Sequence, residues 1–371
     1  MEACPCFNPT GRRALGGAYT EHRAEGGEKG VFLVALRRLV KIERKTPVLK
    51  TPAFGCFKGV PTINVTRGCP HACVYCYARG FPDAPPKGEL YLYTNLPAKL
   101  ERELARKREW PRWVSFSTAS DPFPPVDEVL EVTYRVMELL LTRGIGVTFL
   151  TKGFVPPDFI ALFRKYRNLV KARIGLVSAS EDYQRIFEPF AAHPLRRLAN
   201  IRNLAAAGVE TSVRMDPLIP GVADSAEAME HLVKRLKATG TREITASMLV
   251  LRPAVMEQLT AELPPGLVRQ IFAYYHGRPW QRVITSAKTK LLPPTVRVAR
   301  YRLLKEIATR YRLACRICGC KNPDLPWESC HLGVAAEGEV ARPKVKQYNI
   351  FDLLAAPPDF GAGTRATGLK H

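Results

Sequence analysis

The 371-residue sequence contains no apolar run of about 18 residues or more, which is the least that a transmembrane helix needs. Its first residues, Met-Glu-Ala-Cys-Pro-Cys, have neither the basic start nor the apolar stretch of a secretory signal peptide. Without such a run, the chain is not expected to cross a membrane as a helix. The sequence predicts a cytoplasmic protein without a membrane partner.

Acidic residues are also scarce, with 34 Asp and Glu against 56 Lys and Arg and a formal net charge of +22. Such a surplus is costly through self-repulsion unless a polyanion accommodates it, and nucleic acid is the polyanion this favours. A thermophile-like surface is the alternative, since charged residues are accompanied by 31 prolines. The surplus is steepest at residues 278–330, with twelve Lys or Arg against three Asp or Glu.

Ten cysteines occur in groups, which in a chain of this kind favours metal ligands over disulfides. Cys69, Cys73 and Cys76 are separated by three and then two residues. A 4Fe-4S cluster held by three thiolates keeps one iron open to a substrate or cofactor. Structural zinc would need a fourth ligand, and His71 lies inside the loop, where reaching a shared ion is awkward. The spacing predicts an oxygen-sensitive iron–sulfur cluster.

Strand and helix patterns alternate after this loop. Strands are predicted at 61–66, 113–118, 146–151, 172–178, 210–215 and 244–251, and helices at 126–143, 157–167, 195–207, 226–238 and 253–275. Short connections between β/α repeats demand right-handed crossovers and a parallel, buried sheet. The sequence therefore predicts an α/β fold, an open barrel of six β/α units with its chemistry at the strand ends.

Four regions are predicted from composition. Residues 1–55 form a basic N-terminal extension, 56–278 the barrel core, 279–354 a basic cysteine-rich segment, and 355–371 a disordered tail rich in Pro, Gly and Ala.

The C-x3-C-x-aromatic-C pattern resembles the radical S-adenosylmethionine (SAM) superfamily, whose cores are partial (β/α)6 barrels of the TIM type. The resemblance implies that SAM chelates the open iron through its amino and carboxylate groups. It also implies that an electron, from a donor such as flavodoxin or ferredoxin, splits SAM into methionine and a 5'-deoxyadenosyl radical that abstracts a hydrogen atom from a substrate.

Ser120 and Asp121 follow the second strand where many radical-SAM proteins have Gly-Gly-Glu, and here the sequence is similar to the spore photoproduct lyase group. In that group a Ser-Asp pair, a Lys after the third strand and a Ser after the fourth contact SAM. The matching residues are Lys152 and either Ser178 or Ser180. An ammonium acceptor, a cation for the carboxylate and hydroxyls for the ribose suit SAM, although a serine can equally cap a helix.

Tyr75 and Tyr77 flank Cys76, as tyrosines do in the lyase group, where they are implicated in hydrogen-atom transfer. Elsewhere in the superfamily an aromatic at the Tyr75 position packs on the cluster and adenine. Thr118 stands where the lyase has a hydrogen-donating cysteine, two residues before the Ser-Asp pair. A hydroxyl does not give up a hydrogen atom as a thiol does, so the sequence departs from dimer-splitting repair but not from SAM cleavage.

A second group, Cys315, Cys318, Cys320 and Cys330, lies in the basic segment. Zinc and a second 4Fe-4S cluster both fit four cysteines. Zinc prefers two separated C-x2-C knuckles and this group has one, so a second cluster is favoured. No role is assigned to the remaining thiols of Cys4, Cys6 and Cys56.

The resulting hypothesis is a radical-SAM enzyme that repairs or modifies a nucleic acid. Aromatic and basic residues alternate at 274–282, 300–302 and 310–312, the mixture that stacks bases and neutralises phosphates. Tyr301, Leu304, Ala308 and Tyr311 share one helix face and fit a core equally well. The alternatives are a radical-SAM enzyme acting on a peptide or small metabolite, and a non-catalytic iron–sulfur redox sensor that binds nucleic acid.

Overall fold

The structure is a computed structural model that describes residues 36–52, 55–283 and 287–325. The predictions made for Cys4, Cys6, Cys330, the side chain of Cys56 and the C-terminal tail lie outside these residues. Of the described helices, none combines the length and apolar character that a membrane span requires.

The described strands and helices alternate from residue 113 onward, as the patterns predicted. The strands are β1 (Arg38–Ile42), β2 (Thr62–Ile63), β3 (Thr66–Arg67), β4 (Glu89–Tyr93), β5 (Trp113–Phe116), β6 (Gly146–Thr151), β7 (Val170–Gly175), β8 (Glu210–Leu218), β9 (Glu243–Met248), β10 (Gln281–Arg282), β11 (Lys288–Thr289) and β12 (Ala314–Ile317). The helices are α1 (Leu96–Ala105), α2 (Asp127–Thr142), α3 (Pro157–Lys165), α4 (Glu181–Phe187), α5 (Pro194–Ala206), α6 (Ala226–Lys237), α7 (Pro253–Glu262), α8 (Pro265–Ala273) and α9 (Pro294–Arg310). Short 3-10 helices lie at Gly55–Phe57, Tyr77–Gly80, Arg167–Leu169 and Gly319–Lys321.

A seven-stranded parallel sheet in the order β12-β9-β8-β7-β6-β5-β2 forms the centre of the molecule. A helix follows each strand from β5 to β9 and covers the sheet. Because such strands are buried on both faces, their sequences are nearly continuous apolar runs. In β6, for example, five of the six residues are buried. Five of the six predicted strands are confirmed and the first is confirmed in part, and the fold is the partial TIM-type barrel of α/β class.

Several elements differ from the sequence prediction. The 61–66 segment divides, because β2 joins the barrel sheet whereas β3 pairs antiparallel with β4 in a smaller sheet ordered β1-β4-β3. The 253–275 helix divides after Leu263, because Pro264 and Pro265 cannot continue it and start α8 instead. The strand β12 and the helix α4 were not predicted at all.

Aromatic and basic residues in the middle of α9 make hydrogen bonds and ion pairs within the protein. The Tyr301 hydroxyl accepts a hydrogen bond from the Met248 amide at 2.9 Å, and Arg297, which is 1% exposed, pairs with Asp324. Arg300 Nε lies 2.9 Å from Asp224 Oδ2. Base stacking by Tyr301 is therefore a wrong prediction, and the core alternative is right for this residue, because α9 packs against α6 and β12 and buries the Tyr301 ring.

An aromatic cluster fills the core beside β6. Phe149 stacks on Phe163 with ring centroids 5.5 Å apart, and Phe123 meets Phe149 and Phe159 edge to face at 5.0 Å. All four rings are almost completely buried. Because Phe123 follows directly on the Ser120–Asp121 segment, this cluster anchors one of the loops predicted to hold SAM.

Replacing Phe163 by Ala should lower the free energy of unfolding by about 3–5 kcal/mol, because it removes a fully buried ring and leaves a cavity. Denaturant unfolding followed by circular dichroism measures the loss. The matched control is Leu195→Ala, whose side chain is 54% exposed and whose loss should cost about 0.5 kcal/mol or less. A loss below about 1 kcal/mol for Phe163→Ala would contradict the packing described.

Candidate active site

The predicted site residues lie on loops at the carboxyl end of the sheet. Ser120 follows β5, Lys152 follows β6, Ser178 follows β7 and the loop of Cys69, Cys73 and Cys76 follows β3. Because all strands of the main sheet are parallel, their carboxyl ends meet at one edge, where barrel folds place their chemistry. The cysteine loop, which follows β3 of the smaller sheet, reaches the same edge, since His71 Nε2 lies 3.3 Å from Asp121 Oδ2. The fold thus brings together residues from four separate segments.

The cysteine loop is compact and bends sharply. Gly68 has φ of +81°, and a Cβ there would lie 3.0 Å from Pro85 Cγ, so the turn needs glycine. Ala72 also takes a left-handed conformation, with φ of 49°. Cys73 is buried, Cys69 and Cys76 are half-buried, and all three thiols are free of disulfides. Burial, and then the charges of Asp121, Cys73 and Cys76, raise the pKa of Cys69 well above its ordinary value, so the three thiols lie near one another.

The donor set fits an iron–sulfur cluster. Burial, and then the charge of Glu188, raises the pKa of Cys73 to about 12. A bound metal centre supplies the positive charge that ionises such thiols, so metal binding and deprotonation would be coupled. In the described part of the chain no three ligand side chains enclose a point that a single metal ion could occupy.

Asp121 ties the cysteine loop to β6. Its Oδ1 accepts from the Thr151 hydroxyl at 2.6 Å, its Oδ2 accepts from the Lys152 amide at 2.8 Å, and His71 Nε2 lies 3.3 Å from Oδ2. Burial alone would raise the pKa of Asp121, but His71 and these hydrogen bonds lower it. The carboxylate is thus engaged within the protein, and its predicted contact with SAM stays a prediction.

Glu188 is a second buried carboxylate at the site, and sequence reasoning missed it. It is 1% exposed; Arg197 Nη1 lies 2.5 Å from its Oε2, Lys152 Nζ lies 3.8 Å from its Oε1, and the Tyr75 hydroxyl donates to it. Burial would raise the pKa of Glu188, but Arg197 and Lys152 lower it below its ordinary value. Glu188 follows α4, the helix that lacked a clear sequence signal, and its partners are distant in sequence.

Tyr75 and Tyr77 have different surroundings. Tyr75 is buried, and burial together with the Glu188 charge raises the pKa of its hydroxyl well above the ordinary value. Tyr77 is 40% exposed, its hydroxyl donates to the Thr118 carbonyl at 2.5 Å, and the Arg252 guanidinium carbon lies 4.9 Å from its ring centroid. Tyr75 therefore packs in the interior of the site. Tyr77 lies at its solvent-exposed opening, which is called the mouth below.

The predicted serines are partly used by the backbone. Ser180 caps α4, accepting from the Tyr183 amide at 3.3 Å, and Ser178 Oγ accepts from the Ser180 amide at 3.1 Å. Ser120 Oγ lies 3.4 Å from Oδ1 of Asn64, a site residue that the sequence did not single out. Ser180 thus has the capping role given as its alternative, while Ser120 and Ser178 remain half-buried at the strand ends.

The family model of the Radical SAM superfamily matches residues 63–248, the segment that holds the cysteine loop and the six predicted strands. The chain belongs to the Radical SAM superfamily. The superfamily consists generally of enzymes that use a 4Fe-4S cluster and SAM.

Individual relatives are distant. An uncharacterized protein of Mycobacterium tuberculosis is 26% identical over 283 residues, covering 73% of this chain and 80% of the relative. A protein of Pseudomonas phage M6 named Radical SAM Nalpha-GlyT isomerase is 23% identical over 202 residues, covering 53% of this chain and 42% of the relative. Spore photoproduct lyase complexed with dinucleoside spore photoproduct has a TM-score of 0.54 at 15% identity, covering 75% of this chain and 81% of the lyase. This likeness confirms the lyase-like fold.

Replacing Glu188 by Gln should cost about 3–5 kcal/mol of unfolding free energy at neutral pH, because it leaves the buried Arg197 without its carboxylate. The folded-state pKa of Glu188 lies below its ordinary value of 4.5, so the stabilisation is present above that pH. It is lost as pH falls through the lowered pKa, where the native side chain also becomes neutral.

Urea unfolding across a pH series measures this difference. The control is Asp182→Asn on α4, the helix that precedes Glu188. The Asp182 carboxylate is 79% exposed and pairs with Arg185, so it should contribute less than about 1 kcal/mol. Equal effects of the two substitutions would show that the Glu188 network does not hold the site together.

Proposed function

We propose that this protein binds a 4Fe-4S cluster at Cys69, Cys73 and Cys76, cleaves SAM reductively, and abstracts a hydrogen atom from a nucleic acid. The observation that carries the proposal is that the three-cysteine loop meets the ends of β5 and β6, since His71 Nε2 lies 3.3 Å from Asp121 Oδ2 and Lys152 Nζ lies 5.5 Å from the Tyr75 ring centroid. When bound, the cluster and SAM supply the radical chemistry. The protein's own residues bind and orient SAM and the substrate.

Lys152 is the residue best placed to bind the SAM carboxylate. Its side chain is 15% exposed, and its ammonium is held by Glu188 and by the Asp216 carbonyl, with Nζ 3.4 Å from that oxygen. The Ser120 hydroxyl, on the neighbouring strand end, is an acceptor for the SAM ammonium, and Ser178 offers a hydroxyl to the ribose. Asp121 orients this group through the Lys152 amide.

A basic surface beside the mouth supports a nucleic-acid substrate. The hairpin of β10 and β11 carries Arg282 and Lys288, both exposed, and Trp280 before it is 41% exposed. Lys290 joins the hairpin to Leu251, just after β9, by two backbone hydrogen bonds, and its Nζ lies 5.0 Å from the Trp280 ring centroid. An exposed indole among cations is the combination that stacks a base and neutralises phosphates.

Such a surface suits an unpaired or extruded nucleotide. A base inside a duplex would have to be flipped out to reach a radical formed within a barrel. Arg252 and Tyr77, which pack together at the mouth, lie on the path between the β9 end and the cysteine loop.

Replacing Cys73 by Ala should abolish formation of 5'-deoxyadenosine from SAM under anaerobic reducing conditions, because the cluster loses one of three ligands. The reconstituted wild-type and variant proteins are compared by chromatography of the products, with circular dichroism to check folding. Arg185→Ala, at an exposed position on α4, serves as the control and should retain activity. Product formation by the folded Cys73→Ala protein would contradict the cluster assignment.

The substrate class is tested by adding single-stranded DNA, duplex DNA, RNA or peptides to the same reaction. Stimulation by one form of nucleic acid supports the proposal. Stimulation by peptide alone would favour the peptide-modifying alternative, and an absence of SAM cleavage in a fully cluster-loaded protein would favour the redox sensor.

Replacing Arg282, Lys288 and Lys290 together by Ala should weaken nucleic-acid binding and flatten its salt dependence. Each lost phosphate contact lowers the log–log slope by about 0.7–0.9, so the loss of three should change it by about 2.1–2.7. The control removes the same number of positive charges at Lys234, Arg235 and Lys237. These residues lie in the last turn of α6, near the amino ends of the parallel strands. Fluorescence anisotropy at several salt concentrations measures both slopes. Equal slopes for the two triple variants would show that the hairpin has no specific part in nucleic-acid binding.

A further inference from the structure

We propose that Arg252 binds one phosphate group of the substrate strand at the mouth of the site. The inference rests on the proposed function, to which it adds the residue that holds the strand beside the reacting nucleotide. Arg252 directly precedes α7, shortly after the end of β9, and its side chain is half-buried. Its guanidinium carbon lies 4.9 Å from the centroid of the Tyr77 ring, next to the cysteine loop.

The charge of Arg252 is not compensated within the described part of the chain. No carboxylate pairs with its guanidinium there, and no hydrogen bond from it reaches a described residue. Other arginines of the site are paired: Arg79 Nη1 donates to Glu262 Oε2 at 2.9 Å, and Arg197 Nη1 lies 2.5 Å from Glu188 Oε2. A cation that loses hydration without gaining a partner is costly. An anionic ligand at Arg252 would supply the missing partner.

The Tyr77 ring fixes the position of the guanidinium. The Tyr77 hydroxyl donates to the Thr118 carbonyl at 2.5 Å, just after β5, and the Phe81 ring meets the Tyr77 ring edge to face at 5.6 Å. Because the ring is held from two sides, the cation–π contact also restrains Arg252. A restrained guanidinium loses less conformational entropy when it binds a ligand, and its planar donors match the oxygens of a phosphate.

Asp216 is the carboxylate whose charge acts on Tyr77, and it is already engaged elsewhere. Arg214 Nη2 lies 2.7 Å from its Oδ2, and Lys321 Nζ lies 2.7 Å from its Oδ1. One carboxylate thus faces two cations, and the group as a whole is positive. An anion that approaches Arg252 therefore meets no unpaired carboxylate from this side.

Lys321 belongs to the turn that carries Cys318 and Cys320, which is called the second cysteine turn below. These two cysteines cluster with Phe57 on one side of β12. Cys315 shares the face of Ile244, its partner in β9, and packs on the main apolar core. The three cysteines do not line one site, so the second cluster or zinc ion expected from the sequence stays a prediction.

Arg252 also connects the mouth to the basic hairpin. Leu251, its neighbour in the chain, exchanges two backbone hydrogen bonds with Lys290, at 2.8 and 3.1 Å. Lys290 Nζ in turn lies 5.0 Å from the Trp280 ring centroid. Two pairs of a cation and an aromatic ring therefore stand on adjoining backbone segments. A strand that stacks a base on Trp280 can continue past Arg252 toward the cysteine loop, with a phosphate at each cation.

Binding of a fluorescent single-stranded oligonucleotide to the reconstituted full-length protein tests the contact. Arg252→Gln should weaken binding about tenfold, the effect of one lost charge-assisted contact. It should also lower the log–log salt slope by about 0.7, whereas Arg252→Lys, which keeps the charge, should keep the slope. The matched control is Arg196→Gln, because the Arg196 guanidinium carbon lies 4.4 Å from the Phe154 ring centroid on the exposed side of α5. Equal losses in the Arg252→Gln and Arg196→Gln proteins would overturn the proposal.

Oligonucleotides in which one phosphodiester at a time is replaced by an uncharged methylphosphonate separate a phosphate contact from a structural role. The wild-type protein should lose about tenfold in affinity at one linkage, and Arg252→Gln should lose nothing further there. If the variant stayed as sensitive as the wild type at every linkage, Arg252 would only support Tyr77 and the proposal would be wrong.

Two further outcomes are distinguishable. If Arg252→Gln weakened the binding of SAM and not of the oligonucleotide, the guanidinium would belong to the SAM carboxylate and the proposal would again fail. A wild-type protein that binds no nucleic acid at all would contradict the proposed substrate class together with this inference. Failure of the inference alone leaves wild-type binding intact and unchanged in the variant.

Discussion

Lys152 lies among three acidic residues, of which Asp121 and Glu188 are buried and Asp216 has a side chain that is 9% exposed. The geometry of the whole site depends on that arrangement. Its amide donates to Asp121, its ammonium lies 3.8 Å from Glu188, and the same ammonium donates to the Asp216 carbonyl. Each acidic residue also holds a further element of the site. Asp121 contacts His71 of the cysteine loop, Glu188 contacts Arg197 of α5, and Asp216 contacts Lys321 of the second cysteine turn.

The cost of burying these charges explains why the arrangement is specific. A buried carboxylate is stable only with its partners in good geometry, and removing one partner leaves an uncompensated charge that costs several kcal/mol. Burial alone would raise the pKa of each of the three carboxyl groups, but basic partners and hydrogen bonds lower it, so these groups stay ionised at neutral pH. Alternative positions of the loops would break at least one of these pairs. The loops are thus held in place before any cofactor binds, which is the preorganisation that a binding site requires.

The barrel and the first cysteine group could be predicted because both produce patterns within short stretches of sequence. Buried strands such as Gly146–Thr151 and the spacing of Cys69, Cys73 and Cys76 need no knowledge of distant contacts. The strand β12 could not be recognised, because four residues containing a cysteine and an arginine carry no periodic signal, and its partner β9 is about 70 residues earlier. Glu188 was missed for the same reason, since only the fold shows that Arg197 and Lys152 meet around it.

The net charge of +22 is the feature whose meaning changes most when the fold is known. Arg197 of α5 and Arg297 of α9 are among the largest fully buried side chains, and Arg214 of β8 is also buried. These cations are neutralised by Glu188, Asp324 and Asp216 and cannot contact a phosphate. A count of basic residues in the sequence therefore overstates the surface available to a polyanion. The argument for a nucleic-acid substrate depends instead on where exposed cations lie, and Arg282 and Lys288 lie on the hairpin attached to the mouth.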